Sequence, residues 1–199
     1  MQTKSKKINP LKKAKRLSSD NTTVFIDDGI DIDNRVIHLV EEIDQRSVSK
    51  VIRGIQLMLV KNSEGPIAIY INSYGGDVYS GFGLFNFIQS LNVEVTIYVV
   101  GSAMSSASII LMAGDIRIMY ENSTLMLHTC SGAIDGKSFE IITDAAEHKS
   151  IHKQMSEIYG SRSNVKAEKW AKDLEHKNVF IRAEKALELG LIDKIIKRV

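Results

Sequence analysis

The spacing of apolar residues changes repeatedly along this chain, and each change marks a switch between strand and helix. Arg35-Val36-Ile37-His38-Leu39-Val40 predicts a first core strand. A helix is expected from Asp44 onward, because Val48, Val51, Ile52, Ile55, Met58 and Leu59 recur at helical spacing. The unbroken run Ile67-Ala68-Ile69-Tyr70-Ile71-Asn72 predicts a buried strand, closed by a turn at Gly75-Gly76. A second helix follows from Tyr79 to Leu91, with Phe82, Leu84, Phe85 and Ile88 on its apolar face. Val95 to Val100 predicts another buried strand ending at Gly101, and the small and apolar residues 104–113 a helix buried on most sides. Two short strands are expected at Ile116–Tyr120 and Thr124–His128, then a long helix from Gly136 to Tyr159 and another from Lys166 to Glu175. A short helix over Ala183–Glu188 with a glycine stop at Gly190 leads into a last strand, Leu191–Ile196. Alternation of strand and helix argues for an α/β architecture.

Residues 1–22 lack this patterning. Lys4, Lys6, Lys7, Lys12, Lys13, Lys15 and Arg16 all precede the first acidic residue, Asp20. A disordered, solubilising arm is expected there, with contact to an acidic partner surface or an organelle-targeting segment as the other readings. Residues 23–199 are expected to form a single domain. A net charge of +2 gives no global push toward nucleic acid or membrane. No apolar stretch of signal-peptide type follows the lysines, and no run approaches the roughly 18 apolar residues of a membrane span. The single cysteine, Cys130, can form no internal disulfide, which fits a reducing, cytoplasmic compartment.

Candidate chemistry is concentrated between residues 72 and 128. Asn72-Ser73-Tyr74-Gly75-Gly76 can expose backbone N–H groups, and Gly101-Ser102-Ala103-Met104-Ser105-Ser106 places serines at the opening of a small-residue helix. His128 ends an apolar strand. Oxyanion donors, a nucleophile and a general base are the parts that acyl transfer requires, so a serine hydrolase, most simply a peptidase, is expected. The local pattern does not choose among Ser102, Ser105, Ser106 and Ser108, and small residues there also serve helix–sheet packing. His148 and His152 share a helix face, but nothing at suitable spacing completes a metal site; both are expected at the surface, and no metal or cofactor is implied.

Taken together, Ile71-Asn72-Ser73-Tyr74-Gly75-Gly76, Val100 to Ser106, Leu127-His128 and Ala183 to Asp193 resemble four ordered blocks of the proteolytic subunit of the caseinolytic (Clp) protease. The resemblance spans about residues 35–196. It implies a crotonase-like α/β fold of repeated ββα units with a protruding handle helix. It also implies a serine endopeptidase acting on unfolded polypeptides inside stacked heptameric rings, served by an ATP-driven unfoldase of the AAA+ type. By the same resemblance Ser105 is the nucleophile and His128 the base. Gly76 and Ser106 supply the oxyanion amides, and Gly75, Val78 and Ser131 flank an extended substrate, Val78 and Ser131 from strands.

Three features depart from the family pattern. Anchored on Ala183–Asp193, the aspartate of the triad falls on Asn178, which can orient an imidazole but carries no charge to stabilise it. Asp173 and Glu175 stand nearby, so a small shift of register would bring in another group. Tyr74 replaces a proline ahead of the glycine pair, adding bulk close to the substrate strand, and a lysine-rich arm replaces the segment that helps dock the unfoldase. These departures leave other readings open: a poorly active or inactive subunit of a mixed ring with a Clp paralogue, a viral capsid-maturation protease of the same fold, or an acyl-CoA enzyme of crotonase type. Apolar Phe139, Ile142, Met155 and Ile158 on the long helix are expected to offer surface for oligomerisation.

Overall fold

Strands β1 (Ile30–Asp31), β2 (Val36–Leu39), β3 (Ile67–Ser73), β4 (Val95–Met104), β5 (Ile116–Tyr120) and β8 (Lys194–Ile196) lie side by side in the order β1-β2-β3-β4-β5-β8. The computed structural model describes residues 27–130 and 136–197; the arm, the expected domain start at residue 23 and Ser131 lie outside the described residues. Every pairing along this row is parallel except β1 with β2. Parallel neighbours require crossovers, and α1 (Gln45–Lys61), α2 (Val78–Gln89) and α3 (Ser106–Leu111) follow β2, β3 and β4 in turn.

The strands form where apolar runs are continuous, with one face in the main core and the other carrying a smaller cluster of Tyr70, Tyr98 and Ile118 flanked by partly buried Val36, Ala68 and Ile116. On one face Ile69, Ile71, Ile97 and Val99 are wholly buried, each stabilising the fold by about 1.5–3 kcal/mol. On the other, the Tyr70 ring stacks between His38 and Tyr98, with centroids 5.1 and 4.6 Å away. Helix α1 begins as expected at Asp44. The Asp44 carboxylate accepts from Ser47 N at 2.7 Å while Ser47 Oγ accepts from Asp44 N at 3.0 Å, which closes a capping box.

Strand β4 is longer than its sequence suggests. It passes through Gly101 to Met104, where an end at Gly101 and a helix from residue 104 were expected. Ile71 pairs with Val99 but Ser73 with Ala103, so β4 carries extra residues against β3. The Asn72 side chain fills this irregularity, accepting from Ser102 N at 3.0 Å, and a Cβ on Gly101 would stand 2.6 Å from Asn72 Oδ1. Past this bulge β4 changes partner, leaving β5 and pairing Ser102–Met104 with β6 (Thr124–Leu127). Strand β7 (Val179–Arg182), which the sequence did not predict, pairs antiparallel with β6. The exchange carries the end of β4 out of the main row and onto the edge where the candidate residues meet.

The long helix α4 (Ser138–Ser161) has a divided surface. Phe139 and Ile142 are 63% and 71% exposed, as expected of a protruding handle. Met155 is buried and Ile158 packs on the core, contrary to expectation, because the C-terminal half of α4 lies against α3 and α5 (Ala167–Leu174). There Tyr159 and Trp170 meet at 6.0 Å. Helix α6 (Ala183–Glu188) leads back to β8, and Asp193, just before β8, is held by Arg117 of β5 through an ion pair at 2.9 Å. Among the described residues no helix is long and apolar enough to cross a membrane.

Candidate active site

Ser105 joins the end of β4 to the start of α3 with φ 52° and ψ −128°, a conformation that L-residues rarely adopt and that costs about 1–3 kcal/mol. Such a turn stays in place only when its surroundings over-determine it. Ser105 N donates to Met126 O of β6 at 2.8 Å. The Ser105 carbonyl accepts from Ser108 N at 2.9 Å and from Ser108 Oγ at 2.6 Å. With its one hydroxyl proton committed there, Ser108 accepts from the buried Tyr159 hydroxyl at 2.8 Å, so α4 props the turn from behind. The four neighbouring serines are thereby told apart. The Ser102 hydroxyl bonds Asn72, the Ser108 hydroxyl bonds the turn, and the Ser106 hydroxyl is buried with no partner among the described residues. The Ser105 hydroxyl alone meets an imidazole.

Gly75 and Gly76 pack directly on this turn. A Cβ on Gly75, at φ +96°, would come within 2.5 Å of Met104 O and 2.7 Å of Ser105 Cβ. Gly76 bridges Ile43, with Ile43 N donating to Gly75 O at 2.9 Å and Asp77 N to Ile43 O at 2.7 Å. Neighbouring residues in such a bridge point opposite ways, so the Gly76 N–H is turned away from Ile43. Among the described residues neither the Gly76 nor the Ser106 amide donates to a protein acceptor. Gly76 lines the adjoining cleft, whereas Ser106 is buried and is not among the residues that line it. Tyr74 is exposed and does not line the adjoining cleft, so its bulk stands outside it.

His128 follows β6 directly, and its Nε2 lies 2.6 Å from Ser105 Oγ. Burial pushes its pKa below the ordinary histidine value, so at neutral pH the ring is uncharged and can accept a proton. The last β6–β7 pair is Leu127 with Val179, and one further step in that register sets Asn178 opposite His128. Asn178 is exposed, and among the described residues neither its amide nor His128 Nδ1 forms a hydrogen bond. The nearby acids are occupied elsewhere: Asp173 pairs with Lys169 at 2.8 Å, and Glu175 approaches His176 at 3.7 Å.

A cleft of about 330 Å³ opens beside the Ser105–His128 pair. Val78 lines it as the first residue of α2, not from a strand as expected. His148 and His152 also differ from expectation, because α4 lies over the cleft and half-buries both. His148 joins the cleft lining, and His152 Nε2 bonds Ala171 O at 2.9 Å. Among the described residues no group of three or more potential metal ligands converges.

The family model of the Clp protease matches residues 20–199. The chain belongs to the Clp protease family. It is 35% identical over 170 residues to an ATP-dependent Clp protease proteolytic subunit of Mesostigma viride, covering 83% of this chain and 72% of that one. A protein of the same description from Chlorokybus atmophyticus is 34% identical over 170 residues, covering 83% and 74%. A third, from Deinococcus radiodurans, is 30% identical over 165 residues, covering 82% and 80%. Clp proteases of this kind are serine-type peptidases of crotonase-like α/β fold, and the architecture described above agrees with that class.

In this Clp chain several positioning residues escaped the sequence. Asn72 pins the β4 bulge, and Ser73 Oγ links Glu41 O at 2.6 Å to Gly75 N at 3.1 Å, which fixes the glycine turn. Both lie in the Asn-Ser-Tyr-Gly-Gly block, where a short polar pair closing an apolar strand was the available signal. Asp144, Glu147 and Met155 of the cleft lining carry only a helical spacing in the sequence and no motif.

Proposed function

We propose that Ser105 is the nucleophile of a peptide-bond hydrolysis for which His128 is the base. The observation that carries this reading is the 2.6 Å contact between His128 Nε2 and Ser105 Oγ across a turn held in a strained conformation. Ser105 Oγ attacks the scissile carbonyl carbon as its proton passes to His128 Nε2. The carbonyl oxygen gathers negative charge, which the Gly76 and Ser106 amides stabilise. His128 then delivers the proton to the departing amine, the C–N bond breaks, and an acyl ester remains on Ser105. Water, deprotonated by His128, attacks that ester, and release of the acid restores both side chains.

Asn178 is the orienting partner of the His128 ring in this proposal. The β6–β7 register supports it, and an Asn carbonyl can accept from Nδ1–H. Gly75 and Val78, with Ser131, border the bound substrate. We further propose that the subunits stack as heptameric rings, with an ATP-driven unfoldase feeding unfolded chains to enclosed sites in the cytoplasm. The exposed Phe139 and Ile142 on α4 and the names of the relatives support assembly.

A fluorophosphonate probe tests the chemistry, with the labelled residue found by mass spectrometry and particle size read in parallel. Labelling of Ser105 that disappears in His128→Ala is expected. A well-formed ring that takes no label would replace this reading with that of an inactive structural subunit.

A further inference from the structure

The proposal that follows rests on the peptidase reading and deepens it. We propose that the cleft beside Ser105 selects a lysine or arginine side chain on the acyl side of the scissile bond. The face of α4 that covers the cleft presents Asp144, Glu147, His148, Ile151 and Met155, spaced three or four apart so that one stripe faces inward. Ile151 and Met155 are buried and, with Val78, make an apolar floor; Asp144 and Glu147 are exposed at the rim. A third carboxylate, Asp77, lines the same cleft, and among the described residues no lysine or arginine does.

These carboxylates retain capacity for a ligand. Asp77 Oδ1 accepts from Ser80 N at 2.7 Å to cap α2, and Glu147 Oε1 accepts from the Tyr79 hydroxyl at 2.8 Å. An ionised carboxylate has about four acceptor sites, so each can take a further donor. The Asp144 carboxylate has no hydrogen bond or ion pair to any other described residue. A long side chain could lay its methylenes on Val78, Ile151 and Met155 and present its cation to the rim, the way lysine and arginine meet half-apolar surfaces. An acidic side chain would be repelled, and a short aliphatic one would leave the rim charges without a counter-charge.

The catalytic geometry says which substrate residue enters. A carbonyl held by the Gly76 and Ser106 amides has its own Cα one bond from the carbon under attack. Asp77, Val78 and Tyr79 continue the segment that supplies Gly76 and line the cleft. The acyl-side Cβ is two bonds from that carbon and the amine-side Cβ three, so the nearer, acyl-side residue is the one assigned to this cleft.

The test uses the full-length protein in its native assembly and two tripeptidyl diphenyl phosphonates that differ only in lysine against norleucine at the acyl position. Labelling rates at Ser105 are read by mass spectrometry. The lysine probe should react about five- to tenfold faster, the scale expected of two partly exposed ion pairs. The Asp144→Asn, Glu147→Gln double variant should bring the ratio close to 1. The ratio in the unaltered protein should also fall as salt rises toward 1 M, where the screening length is only about 3 Å, and this readout stands even if the double variant does not assemble. Equal or faster labelling by norleucine, a ratio unmoved in the double variant, or a ratio indifferent to salt would each overturn the proposal. If a small fluorophosphonate labels Ser105 while neither peptidyl probe does, basic selection is refuted and the serine chemistry stands. If nothing labels Ser105, the peptidase reading fails and this selection with it.

Discussion

On the side of the proposed nucleophile, Ser105 is held from three directions: by Met126 O of β6, by Ser108 backed by Tyr159 of α4, and by Gly75 packed against its Cβ. On the side of the proposed base, the His128 ring makes one hydrogen bond among the described residues, to Ser105 itself, and none of them engages its Nδ1. The difference reflects where each residue sits. Ser105 lies where three elements converge, and their small residues allow close packing. His128 lies one residue beyond the pairing of β6 with the short strand β7, so it depends on a single neighbour across an exposed edge. A strained nucleophile turn needs many supports, whereas an unstrained histidine can wait for its last one. The rate-limiting deficiency should therefore lie at His128 and Asn178, and the fragility at Gly75.

Breaking the braced side should have the largest effect. Gly75→Ala forces a methyl group to within 2.5 Å of Met104 O and 2.7 Å of Ser105 Cβ, both attached to rigid backbone, at a φ that alanine disfavours. The turn must shift to relieve the clash, and a displacement approaching 1 Å in a catalytic group costs about 100-fold. Peptidase turnover and fluorophosphonate labelling should fall together by about that factor or more. Melting should drop by no more than a few degrees, because the core strands are untouched. Labelling at an undiminished rate would show that the glycine turn does not position Ser105.

Strengthening the loose side should have a smaller effect of opposite sign. Asn178→Asp places a carboxylate opposite His128, and a negative neighbour favours the charged imidazolium. The His128 pKa, now depressed by burial, should rise. Because the base must be neutral to act, the acid limb of the pH–rate profile should move upward from a midpoint that lies below about 6.5 in the unaltered protein. At pH values above the acid limb, turnover should increase about tenfold. That is well short of the roughly 10⁴ by which a charged triad outperforms its Asn variant elsewhere. The gain should shrink as pH falls through the new limb. Superimposable profiles for the two proteins would mean that residue 178 does not face the imidazole in the working enzyme.

The same contrast explains what was legible in the sequence. The β3 and β4 runs around Ile69 and Ile97 announce themselves because every side chain in them is apolar, and Asp44 announces α1 through a cap that acts locally. Ser105 and His128 were legible through blocks of residues near the chemistry. What was hidden depends on partners distant in sequence. The extension of β4 through Gly101 requires the Asn72 side chain, since glycine and serine alone suggest a strand end. Strand β7 is four residues long with Phe180 facing outward, and pairing with β6 decides it more than pattern does. Met155 reads like Phe139 in the sequence, yet one is buried and the other exposed, because only the C-terminal half of α4 has elements beneath it.

The smallest effect should come from removing one support on the braced side while leaving the others. Tyr159→Phe deletes the hydroxyl that donates to Ser108 Oγ, a proton that burial holds firmly on the phenol. Ser108 still donates to the Ser105 carbonyl, so the turn loses its outer prop and keeps its inner one. A buried hydrogen bond of this kind contributes about 1 kcal/mol, which for a domain of this size should lower the melting temperature by about 2–4 °C. Turnover should fall less than about threefold, because Met126 O and Gly75 continue to define the turn. Combined with Asn178→Asp, the two changes should multiply, since they act on opposite sides of the pair and share no partner. A drop of 100-fold in Tyr159→Phe alone would show that the supports of Ser105 work as one unit, and that the nucleophile turn has no margin to spare.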